Sequence, residues 1–143
     1  MRVIQAGLGG FGQSWAKVSQ AALEVDLVAA VDPSPAARAW ARDAVHLDEA
    51  MVFAALARAL SAVAADGVLV VTPPDTHHAV ATAALQAGRH VLLEKPLATT
   101  IDEARDLIQT AEAMNRILMV SQNYRYRPGA VAVRQAVAAG LLG

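Results

Sequence analysis

Val3-Ile4-Gln5-Ala6-Gly7-Leu8-Gly9-Gly10-Phe11-Gly12 is an apolar run that ends in a cluster of glycines, and a second apolar run, Leu27–Val31, closes on Asp32. Together they spell strand, glycine-rich turn, helix, strand and acid, the layout of a dinucleotide-binding βαβ unit. Each position has a physical reason. Gly7 permits the tight turn off the first strand. Gly9 lacks a side chain, so a pyrophosphate can approach the backbone at the positive end of a helix dipole. Gly12 lets that helix pack closely on the sheet. Asp32 follows Gly12 by twenty residues, placed to accept hydrogen bonds from the 2′- and 3′-hydroxyls of a ribose. The candidate cofactor residues of this unit are Gly7, Gly9, Gly10, Phe11, Gly12 and Asp32. A free carboxylate at Asp32 favours NAD over NADP, because a 2′-phosphate would meet like charge there. Arg38 opposes that preference only if it turns inward; it reads as a solvated helix residue.

The rest of the chain fits an α/β protein of one domain. Its 143 residues can bury a core, and 12 basic residues against 13 acidic ones leave no electrostatic case for a nucleic-acid partner. There is no cysteine, which removes disulfides, thiolate metal sites and cysteine nucleophiles together. No metal site is expected. Hydrophobic residues make up 55%, yet no charge-free stretch is long enough for a membrane span. No apolar leader follows Met1-Arg2, and a cytoplasmic location is expected.

Apolar runs alternate with helical periodicities throughout. Strands are expected at Arg2–Ala6, Leu27–Val31, Met51–Phe53, Gly67–Thr72, His90–Leu93 and Ile117–Ser121. They are continuous rather than alternating, as strands covered on both faces must be. Helical crossovers between them give a doubly wound parallel sheet of order 3-2-1-4-5-6 in three layers, a Rossmann fold. Phe11, Trp15, Val18 and Ala22 form one apolar stripe, and Ala104, Leu107, Ile108 and Ala111 another. Val133, Val137 and Leu141 suggest a last helix entered through Pro128. Ser34-Pro35 and Asp75-Thr76 read as helix starts, Thr100 and Glu103 as a capping box, and Gly88 as a helix stop. The alternative for the third strand, Met51–Phe53, is continuation of the surrounding helix.

Three polar segments follow strands on the carboxyl edge, where open α/β sheets bind ligands. Thr72-Pro73-Pro74-Asp75-Thr76-His77 follows the fourth strand; its prolines remove two backbone donors, and His77 or His78 could point at a ligand. Glu94-Lys95-Pro96 follows the fifth, an acid and an amine ahead of a proline whose peptide bond is a candidate for cis. The lysine could donate a proton or hold a substrate oxygen. Gln122-Asn123-Tyr124-Arg125-Tyr126-Arg127-Pro128 follows the sixth and could line a substrate cleft or meet another domain. Trp15 and Trp40 read as packing residues.

Glycine turn, Thr-Pro-Pro-x-x-His, Glu-Lys-Pro and Asn-Tyr-Arg, in this order and spacing, resemble the amino-terminal half of the glucose-fructose oxidoreductase/inositol dehydrogenase/MocA family. The resemblance implies a nicotinamide dinucleotide, NAD rather than NADP, on Gly7–Gly12 and Asp32, flanked by Thr72, Pro73, Pro74 and His77. It implies Glu94, Lys95 and Asn123 beside the nicotinamide, with Lys95 as the catalytic proton carrier for a sugar or polyol hydroxyl. Tyr124 and Arg125 are implied on the substrate side.

Members of that family continue into a second α/β domain that covers the nicotinamide and mediates oligomerisation. Residues 1–143 are accordingly expected to be the dinucleotide-binding domain alone, able to hold cofactor but catalytically incomplete. An apolar surface around Tyr124–Leu142 is then expected to drive self-association, and the parent to be a homo-oligomer. Two other readings are a stand-alone dinucleotide-sensing module and a methyltransferase using S-adenosylmethionine, against which Glu-Lys-Pro counts.

Overall fold

The computed structural model describes residues 1–141. Six parallel strands form one sheet: β1 (Arg2–Ala6), β2 (Asp26–Val31), β3 (Val52–Phe53), β4 (Gly67–Val70), β5 (His90–Leu93) and β6 (Leu118–Val120). Their order is β3-β2-β1-β4-β5-β6, as the sequence pattern predicts. β1 lies inside the sheet, paired with β2 on one side, where the register shifts between Val3 and Ile4, and with β4 on the other. Its last four residues are all buried, so the strand is apolar without alternation. β3 is shorter than expected because Glu49–Met51 form a 3₁₀ turn ahead of it.

Five helices cross over between strands, α1 (Gly10–Ala21), α2 (Pro35–Val45), α3 (Leu56–Ala62), α4 (His77–Gln86) and α5 (Ile101–Ala113), and α6 (Pro128–Ala138) follows β6. The core divides in two. One cluster joins the sheet to α3, α4 and α5 through Ala59, Ala81, Leu85 and Leu107, and a smaller one joins Leu8 and Ala30 to Ala16 of α1 and Ala41 of α2. Alanine dominates these helix faces, so the chain's alanine content sets a close helix-to-sheet distance.

The caps largely follow the sequence. Ser34 caps α2 with Pro35 at its first turn. Thr100 and Glu103 form the capping box of α5. The Thr99 hydroxyl donates to the Glu103 carboxylate (2.6 Å), and this bond, with the Thr99 backbone amide, holds the Glu103 carboxyl below its usual value. Gly88 takes φ +75° just past α4. Thr76 differs from expectation: its side chain makes no cap bond to α4.

Two helical stripes also differ. On α1 the buried residues are Gly12, Ala16 and Ser19, while Phe11 and Val18 are exposed. On α5 Leu107 and Ala111 are buried, but Ile108 is exposed. α6 forms as expected but has no buried residue.

Candidate functional site

The glycine turn is shaped by contacts that tolerate no side chain. Gly7 sits at φ +98°, and a Cβ there would lie 2.3 Å from the Val71 carbonyl oxygen. A Cβ on Gly12 would lie 2.4 Å from the Gly7 carbonyl oxygen, so the first turn of α1 rests on the turn that precedes it. Gln5, fully buried on β1, locks this arrangement: its Nε2 donates to the carbonyls of Gly7 (2.9 Å) and Gly12 (2.7 Å). Sequence reasoning passed over Gln5, although an amide inside an apolar central strand is a visible signal.

Gly9 and Gly10 are the opposite case. A Cβ on either meets nothing within 4 Å, so their backbones face open space. Gly9 is the N-cap of α1 and offers no side chain to its first turn, which also carries no acid. The positive end of α1 therefore faces an opening, which is what a phosphate needs.

Asp32 stands across that opening at the end of β2. Its Oδ2 accepts from the Leu8 amide (2.8 Å) and its Oδ1 from the Ser34 amide (2.8 Å). Two backbone donors thus fix the carboxylate while each oxygen retains a further lone pair. Among the described residues Arg38 makes no ion pair with that carboxylate; its Nη1 donates to the main-chain carbonyls of Asp32 (2.9 Å) and Pro33 (2.8 Å). Its first role is to hold the loop. A cavity of about 600 Å³ runs here, walled by the turn from Gly7 to Gly12, by Asp32 and Pro33, by Leu56, and by Thr72, Pro73, Thr76 and Val80.

Behind the Thr72–Pro74 loop, the Thr76 hydroxyl is hydrogen-bonded to the Thr72 hydroxyl (2.8 Å) and the Pro73 carbonyl (2.7 Å). That is why it is not free to cap α4. His77 is 1% exposed, with Nδ1 at 2.8 Å from the Pro96 carbonyl and Nε2 at 2.9 Å from the Thr72 carbonyl. It braces one carboxyl-edge loop against the next. His78 pairs with Asp106 (2.6 Å) between α4 and α5.

The loop it braces contains Glu94, Lys95 and a cis bond to Pro96. Glu94 is 8% exposed. Its Oε1 accepts from the Trp15 indole (2.9 Å) and its Oε2 from the Lys95 amide (3.0 Å). Trp15 is therefore more than a packing residue; it ties α1 to the end of β5. Among the described residues Lys95 forms no ion pair. A second cavity of about 540 Å³ opens beside it, lined by Phe11, Glu94, Lys95, Ser121, Gln122, Asn123, Tyr124 and Arg127. Phe11 belongs to both cavity walls.

Of the residues singled out from sequence, Gly7, Gly9, Gly10, Phe11, Gly12, Asp32, Thr72 and Pro73 meet in the first cavity, and Phe11, Glu94, Lys95, Asn123 and Tyr124 in the second. Pro74, His77 and Arg125 line neither. His77 lies behind the wall with both ring nitrogens engaged, and Arg125 lies over Tyr126, 5.6 Å from its ring centre. Arg127 takes the place expected of Arg125. No cluster of metal-ligating side chains occurs among the described residues, and none of their helices is long and apolar enough to cross a membrane.

A bare glycine cradle at a helix N-terminus, an opposed carboxylate and a groove between them define a dinucleotide-binding Rossmann domain. Residues 1–122 match the Gfo/Idh/MocA family, described as an oxidoreductase family with an NAD-binding Rossmann fold, and the chain belongs to that family. It is 35% identical over 133 residues to the inositol 2-dehydrogenase of Paracoccus denitrificans, covering 92% of this chain and 40% of that protein. Among solved structures, scyllo-inositol dehydrogenase from Lactobacillus casei with bound NAD(H) and scyllo-inositol superposes with a TM-score of 0.92 at 26% identity, over all of this chain and 42% of the other. The WlbA dehydrogenase of Bordetella pertussis, in complex with NADH and UDP-GlcNAcA, gives 0.92 at 26% identity, over 99% of this chain and 43% of the other. The chain thus spans less than half the length of these relatives, and it corresponds to their NAD-binding domain.

Proposed function

We propose that residues 1–143 form the cofactor half of a dehydrogenase that transfers a hydride between NAD and a hydroxyl of a sugar, inositol or related polyol. The observation that carries this reading is a pair of cavities that share Phe11, one between Asp32 and the glycine turn, the other beside Lys95. The residues fit the cofactor: Gly9 and Gly10 leave the space a pyrophosphate requires, and Asp32 keeps acceptor capacity for a ribose diol. Gly7, Gly12 and Gln5 would hold the turn in shape. Thr72 and Pro73 would wall the groove, and Glu94, Lys95 and Asn123 would flank its far end. When bound, NAD supplies the hydride acceptor for a carbinol carbon.

Lys95 is the protein's proton carrier in this reading. Its Nζ would hydrogen-bond the reacting oxygen, giving a proton to it in reduction and taking one from it in oxidation. Glu94, held by Trp15, fixes the Lys95 backbone through its amide. Tyr124 stands on the substrate side, and a further domain would close that side. We extend the proposal to a homo-oligomer, for which the exposed apolar residues Val133 and Val137 of α6 and Leu141 just beyond it are the support.

A crystal structure of the chain with NADH tests the proposal. It should show the pyrophosphate on Gly9–Phe11 and the nicotinamide in the Lys95 cavity. A nicotinamide lying outside that cavity would remove Lys95 from the reaction.

A further inference from the structure

Arg127 lines the cavity that holds Lys95 and has no part in the cofactor site. Its guanidinium lies over the Tyr124 ring, 3.9 Å from the ring centre. A guanidinium resting on an aromatic ring keeps its N–H donors, which can grip a carboxylate or phosphate with two parallel bonds. The backbone beneath is fixed as well: the Arg127 amide donates to the Tyr124 carbonyl (3.1 Å), and Pro128 opens α6 immediately afterwards.

The charges around it are unbalanced. Among the described residues neither Arg127 nor Lys95 forms an ion pair. Glu94 is the one acid on that wall, and both its oxygens are engaged by Trp15 and the Lys95 amide. No neighbour in sequence compensates: residues 113–143 hold Arg116, Arg125, Arg127 and Arg134 and not one acid, in a chain whose net charge is −1. A neutral polyol could be read by Ser121, Gln122 and Asn123 alone. With Lys95 committed to the reacting oxygen, Arg127 is the cation on this wall left to meet an anionic group.

We infer that the substrate of this site carries an anionic group, a carboxylate or a phosphate, gripped by Arg127 while Lys95 stays with the reacting oxygen. The inference rests on the proposal that the Lys95 cavity is the substrate side. The cofactor's own pyrophosphate is the competing anion, and its place is the N-terminus of α1 in the other cavity.

Calorimetric titration with NADH comes first, and then the NADH-saturated chain is titrated with D-glucuronate, D-glucose 6-phosphate and D-glucose. At least one charged sugar should bind about tenfold or more tighter than glucose, and whichever does so tells carboxylate from phosphate. Arg127→Gln should erase that margin, Arg127→Lys should restore part of it, and NADH affinity should stay within about twofold in both. With NADH binding intact, equal affinity for the three sugars, or binding of none, overturns the inference and leaves the cofactor reading standing. Loss of NADH affinity in Arg127→Gln would assign that side chain to the cofactor and overturn it too. Failure of the unaltered chain to bind NADH would remove both readings together.

Discussion

Gly9 and Gly12 belong to the same turn, yet alanine at the two positions should do opposite things. At Gly12 the new Cβ would lie 2.4 Å from the Gly7 carbonyl oxygen and 2.9 Å from its carbon. Both are backbone, so no side chain can swing aside. The first turn of α1 must retreat about 1 Å to reach ordinary 3.4 Å contact. That motion also pulls the Gly12 carbonyl from Gln5. Overpacking of this kind costs about 1–3 kcal/mol, or about 4–12 °C of melting temperature at this size. At Gly9 the Cβ meets nothing, and the backbone at φ −62° is open to any residue. The weaker alanine N-cap and the stiffer unfolded chain offset one another, leaving a change of about 1 kcal/mol or less. The same Cβ would fill the space where a phosphate approaches, and NADH affinity should fall about tenfold or more. Thermal unfolding by circular dichroism and calorimetric NADH titration read the two effects separately. A Gly9→Ala protein that binds NADH as tightly as the unaltered chain would refute the reasoning about the turn.

Other substitutions follow from the same geometry. Asp32→Ala leaves the Leu8 and Ser34 amides without acceptors; stability should drop by about 1–3 kcal/mol, and NADH should lose its advantage over NADPH in a competition titration. His77→Leu removes the ring that bridges the Thr72 and Pro96 carbonyls and should cost about 1–3 kcal/mol in urea unfolding, although the ring lines neither cavity. Trp15→Phe frees Glu94 Oε1 and should change the intrinsic fluorescence response to NADH while leaving the far-ultraviolet dichroism unaltered. Glu103 has a carboxyl held below the usual value, so its cap contribution is complete above the ordinary carboxylate range and lost as pH falls through the lowered value. The melting-temperature gap between the unaltered chain and Glu103→Ala should accordingly stay constant near neutrality and close only in acid.

What was legible in the sequence was local chemistry. Glycine at the turn, proline at helix starts, Thr100 with Glu103, and apolar runs of strand length act over a few residues, and they sufficed for the strand order. The helix faces were harder. Phe11 and Trp15 are the large apolar residues of α1, and size argued for burying them. Contact of Gly12 with the Gly7 carbonyl instead brings α1 so close to the sheet that only Gly12, Ala16 and Ser19 fit beneath it. Phe11 is left for the groove edge, and Trp15 reaches across to Glu94. His77 reads as a ligand-facing histidine until its partners are known, and one of them, Pro96, lies nineteen residues away. The Trp15–Glu94 bond spans seventy-nine. No periodicity or motif records such pairs, which exist only once the fold has placed α1 beside the end of β5.

The central claim is an NAD site set by the glycine turn and Asp32, and parallel calorimetric titrations of the chain with NADH and NADPH test it most directly. Saturable NADH binding at one site per chain, with NADPH weaker by about tenfold or more, is the predicted result. Equal affinity for the two, or no binding of either at millimolar concentration, would contradict it.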